Sequence, residues 1–323
     1  MNTVLQTLLR GAAIAAVLVA SAGAAAADDY PNRPVRLVVP FPPGGGVDSA
    51  GRAVAAMLSD AFRYPTVVEN KTGAVGAIGY ELAARAAPDG YTLLMGSATP
   101  LMLTPLVKHD LPYKLSDYAP VSLVASVPHV LVVTSSLPAK NLQEFIDYSK
   151  KAPAPPGWGS AGAGTVHYMA GELFFAATGA SGLQVAYRGS GQMMPDLLSG
   201  QIQAASLEIN TAIPYVKAGS LRALGIAAAE RSPMLPDVPT MAELGLSGFE
   251  VTSWFGVVVP KGVPAPIVAK LSEALRKRTR SDEYAKAFQG LGATPIGSTP
   301  EEFTAFIGRE TEKWTGLIKR AKQ

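Results

Sequence analysis

The 323-residue chain contains no cysteine, which excludes disulfides, thiolate catalysis, cysteine-ligated metals and a lipidated N-terminal cysteine. Histidine is nearly as scarce. His109, His129 and His167 are the only three and lie far apart, so a histidine-rich metal centre is not expected. Charge is sparse and balanced. Only 16% of residues are charged and 28 basic residues face 25 acidic ones, a net +3 that leaves no basic stripe for nucleic acid. With 48% hydrophobic residues the chain is too apolar for intrinsic disorder. No Gly-Lys-Ser/Thr occurs, so Walker A fails. No Gly-x-Ser-x-Gly elbow surrounds Ser160, because Trp158 stands two residues before it.

Arg10 is the only charge before Asp28, and between them runs an Ala-rich apolar stretch ending in small residues. This is the pattern of a secretory signal over residues 1–27, cleaved near Ala26 or Ala27, rather than of a membrane anchor. No later segment approaches 18 clean apolar residues. The mature protein is expected to be soluble and exported, and its roughly 296 residues suffice for a core without disulfides.

Beyond the leader, apolar strand patterns alternate with helical ones. Val35–Val39, 66–69, 91–95, 121–126, 130–134, 183–186, 202–207, 221–226 and 255–259 read as strands. Asp48 can cap a helix carrying Val54, Met57, Leu58 and Phe62 on one face. Further helices fit 81–87, 141–151, 166–178, 191–199, 211–218, 264–280 and 300–319. Such alternation predicts an α/β fold of mostly parallel sheets flanked by helices.

Ligands of parallel sheets bind outside the carboxyl ends of the strands, which singles out the loops 40–48, 96–100, 159–165, 187–191 and 207–211. They are rich in Gly, Ser, Thr, Pro and Asn and poor in acid–base groups. Pro40-Phe41-Pro42-Pro43-Gly44-Gly45-Gly46-Val47-Asp48 combines a stiff approach with glycines that let a ligand near the backbone. The helix after it offers N–H groups to an anion. A dinucleotide fingerprint fails because Ser49 stands where the third glycine belongs. Ser160 or Thr165 can cap the helix that carries His167, and Thr99 and Asn210 lie in two of the other loops. Arg188 is a fork suited to a carboxylate. For Thr165, His167 and Arg188, plain capping, packing and exposed-surface roles remain alternatives. No metal or cofactor is expected.

Several motifs occur in register. They include Pro40-Phe41-Pro42-Pro43-Gly44-Gly45-Gly46-x-Asp48, Val68-Glu69-Asn70-Lys71-x-Gly73-Ala74-x-Gly76 and Pro88-Asp89-Gly90-Tyr91-Thr92-Leu93. His167-Tyr168-Met169-Ala170-Gly171-Glu172, Tyr187-Arg188-Gly189-Ser190, Lys217-Ala218-Gly219-x-Leu221-Arg222 and Leu235-Pro236-Asp237-Val238-Pro239-Thr240 follow. Together they resemble the Bug family, the TctC-like extracytoplasmic binding proteins of tripartite tricarboxylate transporters, over essentially the whole mature chain.

That resemblance implies a two-domain Venus-flytrap periplasmic binding protein of type II. Residues 28–129 plus 251–323 would form one domain and 130–250 the other, with a hinge near 130–134 and 254–258. It implies a monomer that captures a small carboxylate between the domains and delivers it to a membrane permease. It carries ligand contacts onto Phe41, Gly45, Gly46, Asp48, Ser160, Ala163, Gly164 and Thr165. Ala163 stands where the family usually has Asn, and Leu207-Glu208-Ile209-Asn210 departs from the usual Asp-Asn. These departures favour a dicarboxylate or aromatic carboxylate over an amino acid, with Arg188 or His167 at its distal end. A sensory module for a membrane kinase is the alternative with the same architecture. A hydrolase, lacking any recognisable nucleophile–base motif, is the remaining one.

Overall fold

A computed structural model describes residues 29–290 and 292–321. The expected leader, 1–27, lies outside the described residues. The fold opens with β1 (Val35–Val39), α1 (Gly46–Phe62), β2 (Thr66–Asn70), α2 (Ala77–Ala84) and β3 (Thr92–Ser97). β1 pairs in parallel with β2 and with β3. α1 buries Ala50, Val54, Met57 and Leu58, the stripe expected of a helix lying on a sheet. After β3 the chain makes a wide π-type turn, Thr99–Leu103, that runs into the short α3 (Thr104–Val107). The sequence places only 96–100 in a loop here and gives no helical signal for 99–107.

The largest departure is β4 (Tyr118–Thr134), one continuous strand of 17 residues where two were expected, near 121–126 and 130–134. Pro128 would be a poor guest inside a uniform ladder. It is accommodated because the strand changes partners there. Tyr118–Pro128 pairs antiparallel with β9 (Thr252–Pro260), whereas His129–Val133 pairs antiparallel with β7 (Ala204–Glu208).

The intervening elements are α4 (Leu142–Lys151), β5 (Gly157–Ser160), α5 (Val166–Thr178), β6 (Leu183–Ala186) and α6 (Ser190–Ser199). Beyond β7 come α7 (Ile209–Lys217) and β8 (Leu221–Ile226), and beyond β9 come α8 (Ala265–Thr279), α9 (Asp282–Gly290), β10 (Thr294–Pro295) and α10 (Pro300–Ala321). β5 escaped sequence reading because Gly-Trp-Gly-Ser has little strand propensity. Tertiary packing imposes it, since Met193 and Ile202 occupy the space a side chain at Gly159 would need.

The strands run β2-β1-β3-β9-β4-β7-β5-β6, with β8 and β10 also on β4. The expected parallel pairing holds on the two outer wings, β2-β1-β3 and β7-β5-β6. The central strands β9 and β4 are antiparallel to their neighbours, which makes the sheet mixed. Neighbouring residues of one strand enter opposite cores. Leu37, Val39, Leu93, Met95, Val130 and Val132 join one cluster, and Val38, Leu94, Leu131 and Val133 the other. A sheet covered on both faces requires the continuous apolar runs that mark these strands in the sequence.

Candidate functional site

The loop after β1 is held open by an internal network. Asp48 does not cap α1, as the sequence suggested. Gly45 takes the N-cap position without a side-chain cap, and Asp48 lies in the first turn. Its Oδ2 accepts from the Gly44 N–H at 3.0 Å and from Arg52 Nε at 2.9 Å. Its Oδ1 accepts from Asn70 Nδ2 at 2.8 Å and from the other Arg52 arm at 3.2 Å. Burial pushes the Asp48 pKa up, but the hydrogen bonds from Arg52, Asn70 and Gly44 outweigh it and the net shift is downward. Asn70 also donates to the Phe41 carbonyl at 2.9 Å, tying both ends of the loop to the tip of β2. Gly44 has φ +86°, the left-handed region that favours glycine. Gly44, Gly45 and Gly46 are exposed, and the 17-residue α1 begins there without a side-chain cap on its N–H groups. That is an anion-binding geometry.

The loop after β5 ends at Thr165, the N-cap of α5. Thr165 Oγ1 accepts from the Tyr168 N–H at 3.4 Å and donates to the Gly162 carbonyl at 2.7 Å, while buried Ser160 accepts from the Gly162 N–H at 3.4 Å. Gly164 has φ +80° and packs against Thr104 and Val107 with no room for a side chain. Ala163, beside it, is exposed.

The segment 99–107 joins these two loops. Thr99 Oγ1 accepts from the Val166 N–H at 3.4 Å, and Thr104 Oγ1 lies 3.4 Å from the Gly164 carbonyl it donates to. On its other side Pro100 shares with the Phe41 ring the space in front of Gly76. Phe41, Gly45, Gly46, Thr99, Ser160, Ala163, Gly164 and Thr165 therefore gather at one end of the sheet. The 187–191 loop joins them through the Tyr187 N–H, which donates to the Ser160 carbonyl at 2.8 Å. Arg188 itself is exposed, and its guanidinium has no ion-pair partner among the described residues. Asn210 packs instead against Gly292, between α9 and β10, and its buried Oδ1 has no hydrogen-bond partner.

Below the second loop lies a polar chain that sequence reading had not joined. Glu208, the last residue of β7, accepts from Ser253 of β9 through Oε1 at 3.0 Å. Its Oε2 lies 3.2 Å from His167 Nε2. Ser253 Oγ is 2.9 Å from His129 Nε2, and His129 Nδ1 is 3.1 Å from Ser206 Oγ. An ionised carboxylate only accepts, so Ser253 donates to Glu208 and accepts a hydrogen bond from the Nε2–H of a neutral His129. Nδ1 is left to accept from Ser206. Burial drives the His129 pKa down to about 4, consistent with that tautomer. Burial also opposes the charge on His167, but the Glu208 carboxylate overrides it and raises the pKa. Glu208 is in turn held well below the usual carboxylate range, the two imidazoles outweighing its burial. The signal available in the sequence was His129 itself, a polar residue in the run Val-Pro-His-Val-Leu-Val-Val, whose burial requires partners.

Residues 50–322 match the model of the tripartite tricarboxylate transporter family receptor. BugT of Bordetella pertussis is 38% identical over 312 residues, which cover 95% of this chain and 96% of the relative. Among solved structures, Rpa4515 of R. palustris with adipate superposes with a TM-score of 0.84 at 33% identity, covering 91% of this chain and 99% of that one. MatC of Rhodopseudomonas palustris with bound malate gives a TM-score of 0.79 at 32% identity, covering 90% and 100%. The curled α/β architecture is thus the two-domain, type II fold of periplasmic binding proteins. With residues 50–322 matched by the family model and 95% of the chain covered by BugT, the chain belongs to the TctC-like Bug family of solute-binding receptors.

Proposed function

We propose that this protein is a periplasmic receptor that captures a small carboxylate, with a dicarboxylate or aromatic carboxylate favoured, and delivers it to a tripartite tricarboxylate transporter permease. The observation that carries the reading is the uncapped N-terminus of α1 with its exposed Gly45–Gly46 backbone, set on one side of the 99–107 segment with the Thr165-capped start of α5 on the other. Such N–H groups complement carboxylate oxygens through charge-assisted bonds worth roughly 1.5–3 kcal/mol each. Adipate and malate in the two similar structures support the dicarboxylate class.

In this reading Phe41, Gly45, Gly46, Thr99, Ser160, Ala163, Gly164 and Thr165 line the ligand. Arg188 and His167 are the candidates for its distal end. Asp48 acts through the loop it braces. The domains are 28–129 with 251–323, and 130–250, and the ligand lies between them. The leader is removed near Ala26 or Ala27, and the mature protein acts as a monomer. No catalytic step is assigned. Ser253 and His129 lie at a nucleophile–base distance, but His129 is fully buried and the serine proton is committed to Glu208.

A thermal-shift screen of the mature protein against adipate, malate, tricarboxylates, aromatic acids and monocarboxylates tests this. A ligand at 100 times its Kd stabilises by about 2.7 kcal/mol, a shift of several degrees at this size. No shift with any carboxylate, together with no small acid released on denaturation by mass spectrometry, would refute the reading.

A further inference from the structure

The polar chain beneath the second loop joins Glu208, His167, Ser253, His129 and Ser206. Its only solvent-accessible charged members, Glu208 and His167, have side chains 22% and 11% exposed, while His129 is sealed at 0%. The exposed part sits at the carboxyl end of β7. There Thr165 caps the helix whose second residue is His167, and Ser160 ends the neighbouring strand β5. We propose that Glu208 and His167 form a specificity-determining ion pair at the base of the ligand cleft. The pair sets the net charge seen by a bound carboxylate and so makes carboxylate capture proton-linked. This rests on the carboxylate reading above.

With His167 protonated the pair is neutral, and its donors and acceptors close on each other. When His167 loses its proton, Glu208 remains ionised, because Ser253 still donates to it, and the cleft floor carries an uncompensated negative charge. A carboxylate ligand then meets like charge in a partly desolvated site. By linkage, ligand binding must favour the protonated pair and take up a proton where His167 is partly titrated. The titratable groups facing the His167 ring are Glu208 from β7 and His129 from β4. β5 offers none. On α10 Lys313 pairs with Glu310 and lines a separate groove with Glu172 and Leu173, about one and a half turns along α5 from His167. The pair also meets both central strands, Ser253 on β9 and, through it, His129 on β4, so its charge is felt where the two wings of the sheet join.

The test is calorimetric titration between pH 6.5 and 9, where the ligand carboxyls stay ionised. The probe is whichever of adipate and malate gives the larger thermal shift. Wild-type affinity is expected to weaken at least about fivefold with rising pH. Glu208→Gln removes the charge that holds the proton, and its affinity is expected to be flat over the same range. His167→Gln leaves Glu208 uncompensated and is expected to bind at all pH values as weakly as wild type does at high pH. Imidazole proton NMR, assigned by the resonance lost in His167→Gln, should show His167 titrating lower in Glu208→Gln than in wild type. Should the Glu208→Gln variant not fold, wild type alone decides. Titrations in two buffers of different ionisation enthalpy must show fractional proton uptake per ligand, and zero uptake throughout the range overturns the proposal. Parallel pH profiles for wild type and Glu208→Gln also overturn it while leaving the carboxylate reading intact. No binding of either acid at any pH overturns both.

Discussion

Asp48→Ala tests whether the first loop is braced from within. The carboxylate accepts four hydrogen bonds from three residues: one from Asn70 Nδ2, one from the Gly44 N–H and two from Arg52. A hydrogen bond to a charged acceptor contributes roughly 1.5–3 kcal/mol when desolvated. Arg52 has a side chain 57% exposed, so its share is discounted to about 0.5 kcal/mol. Gly44 is exposed and rehydrates once released, which limits its share to about 1 kcal/mol. Asn70 contributes about 1.5 kcal/mol and retains its second bond to Phe41. The expected loss is about 3 kcal/mol, or about 6 °C in Tm for a chain of this size, by urea and thermal denaturation at pH 7. Asp48→Ala combined with Asn70→Ala should cost about 1 kcal/mol less than the sum of the singles, because the two share one bond. The Asp48 pKa is lowered in the fold, so its contribution is present above the unfolded value near 3.9 and lost as pH falls through the folded value. Carboxylate affinity should fall with the brace, whereas Arg52→Ala should leave it nearly unchanged. A cost below about 1 kcal/mol, or strict additivity with Asn70→Ala, would refute the bracing argument.

Gly79→Ala should destabilise by roughly 1–3 kcal/mol in chemical denaturation, because the added methyl would lie 2.9 Å from both the Lys71 carbonyl and Pro40, and backbone cannot yield cheaply. Thr165→Ala should cost about 1 kcal/mol by removing the α5 N-cap. It should also weaken carboxylate binding in the calorimetric assay. Arg188→Ala should change stability by less than about 0.5 kcal/mol, since the side chain is exposed and unpaired among the described residues, so any loss of affinity reports on the ligand directly. Wild type should lose stability relative to His129→Gln as pH falls from about 6.5 to about 4. The unfolded chain takes up a proton there that the buried imidazole refuses until about pH 4. Parallel curves would show that folding does not shift the His129 pKa and would refute the burial argument.

The wings of the fold were legible in the sequence and the centre was not. Val35–Val39, the α1 stripe and 183–186 follow from local periodicity, which acts within a few residues. β4 does not, because Pro128 looks like a break until one sees that the strand changes partner there. β5 is a strand because Met193 and Ile202 shape it, and no local propensity records that. The glycine-rich loops of the site were legible for the opposite reason. Gly44 and Gly164 occupy backbone conformations that favour glycine, so the constraint is written at the position itself. Asp48 shows the limit of that reading. Its type and place were visible, but its engagement with Asn70 across 22 residues of chain separation was not, and that bond braces the loop from within.

The same distinction explains why the Glu208 chain was invisible and why its position matters. His167 and Glu208 are 41 residues apart, His129 and Ser206 are 77 apart, and His129 and Ser253 are 124 apart. No motif spans such separations. They meet because β4 carries one wing of the sheet into the other, so that His129 stands opposite Glu208 in the ladder and Val127, two residues earlier, stands opposite Ser253. β4 and β9 are the central strands between the two wings, and any movement of one wing against the other must bend them. The hydrogen bonds at His129 and Ser253 lie on these two strands and are exposed to that bending. Under the proposal above, an ion pair coupled to those bonds is where ligand charge and strand geometry can act on each other. A buried apolar contact at the same place could hold the strands, but it could not respond to the charge of what the cleft has captured.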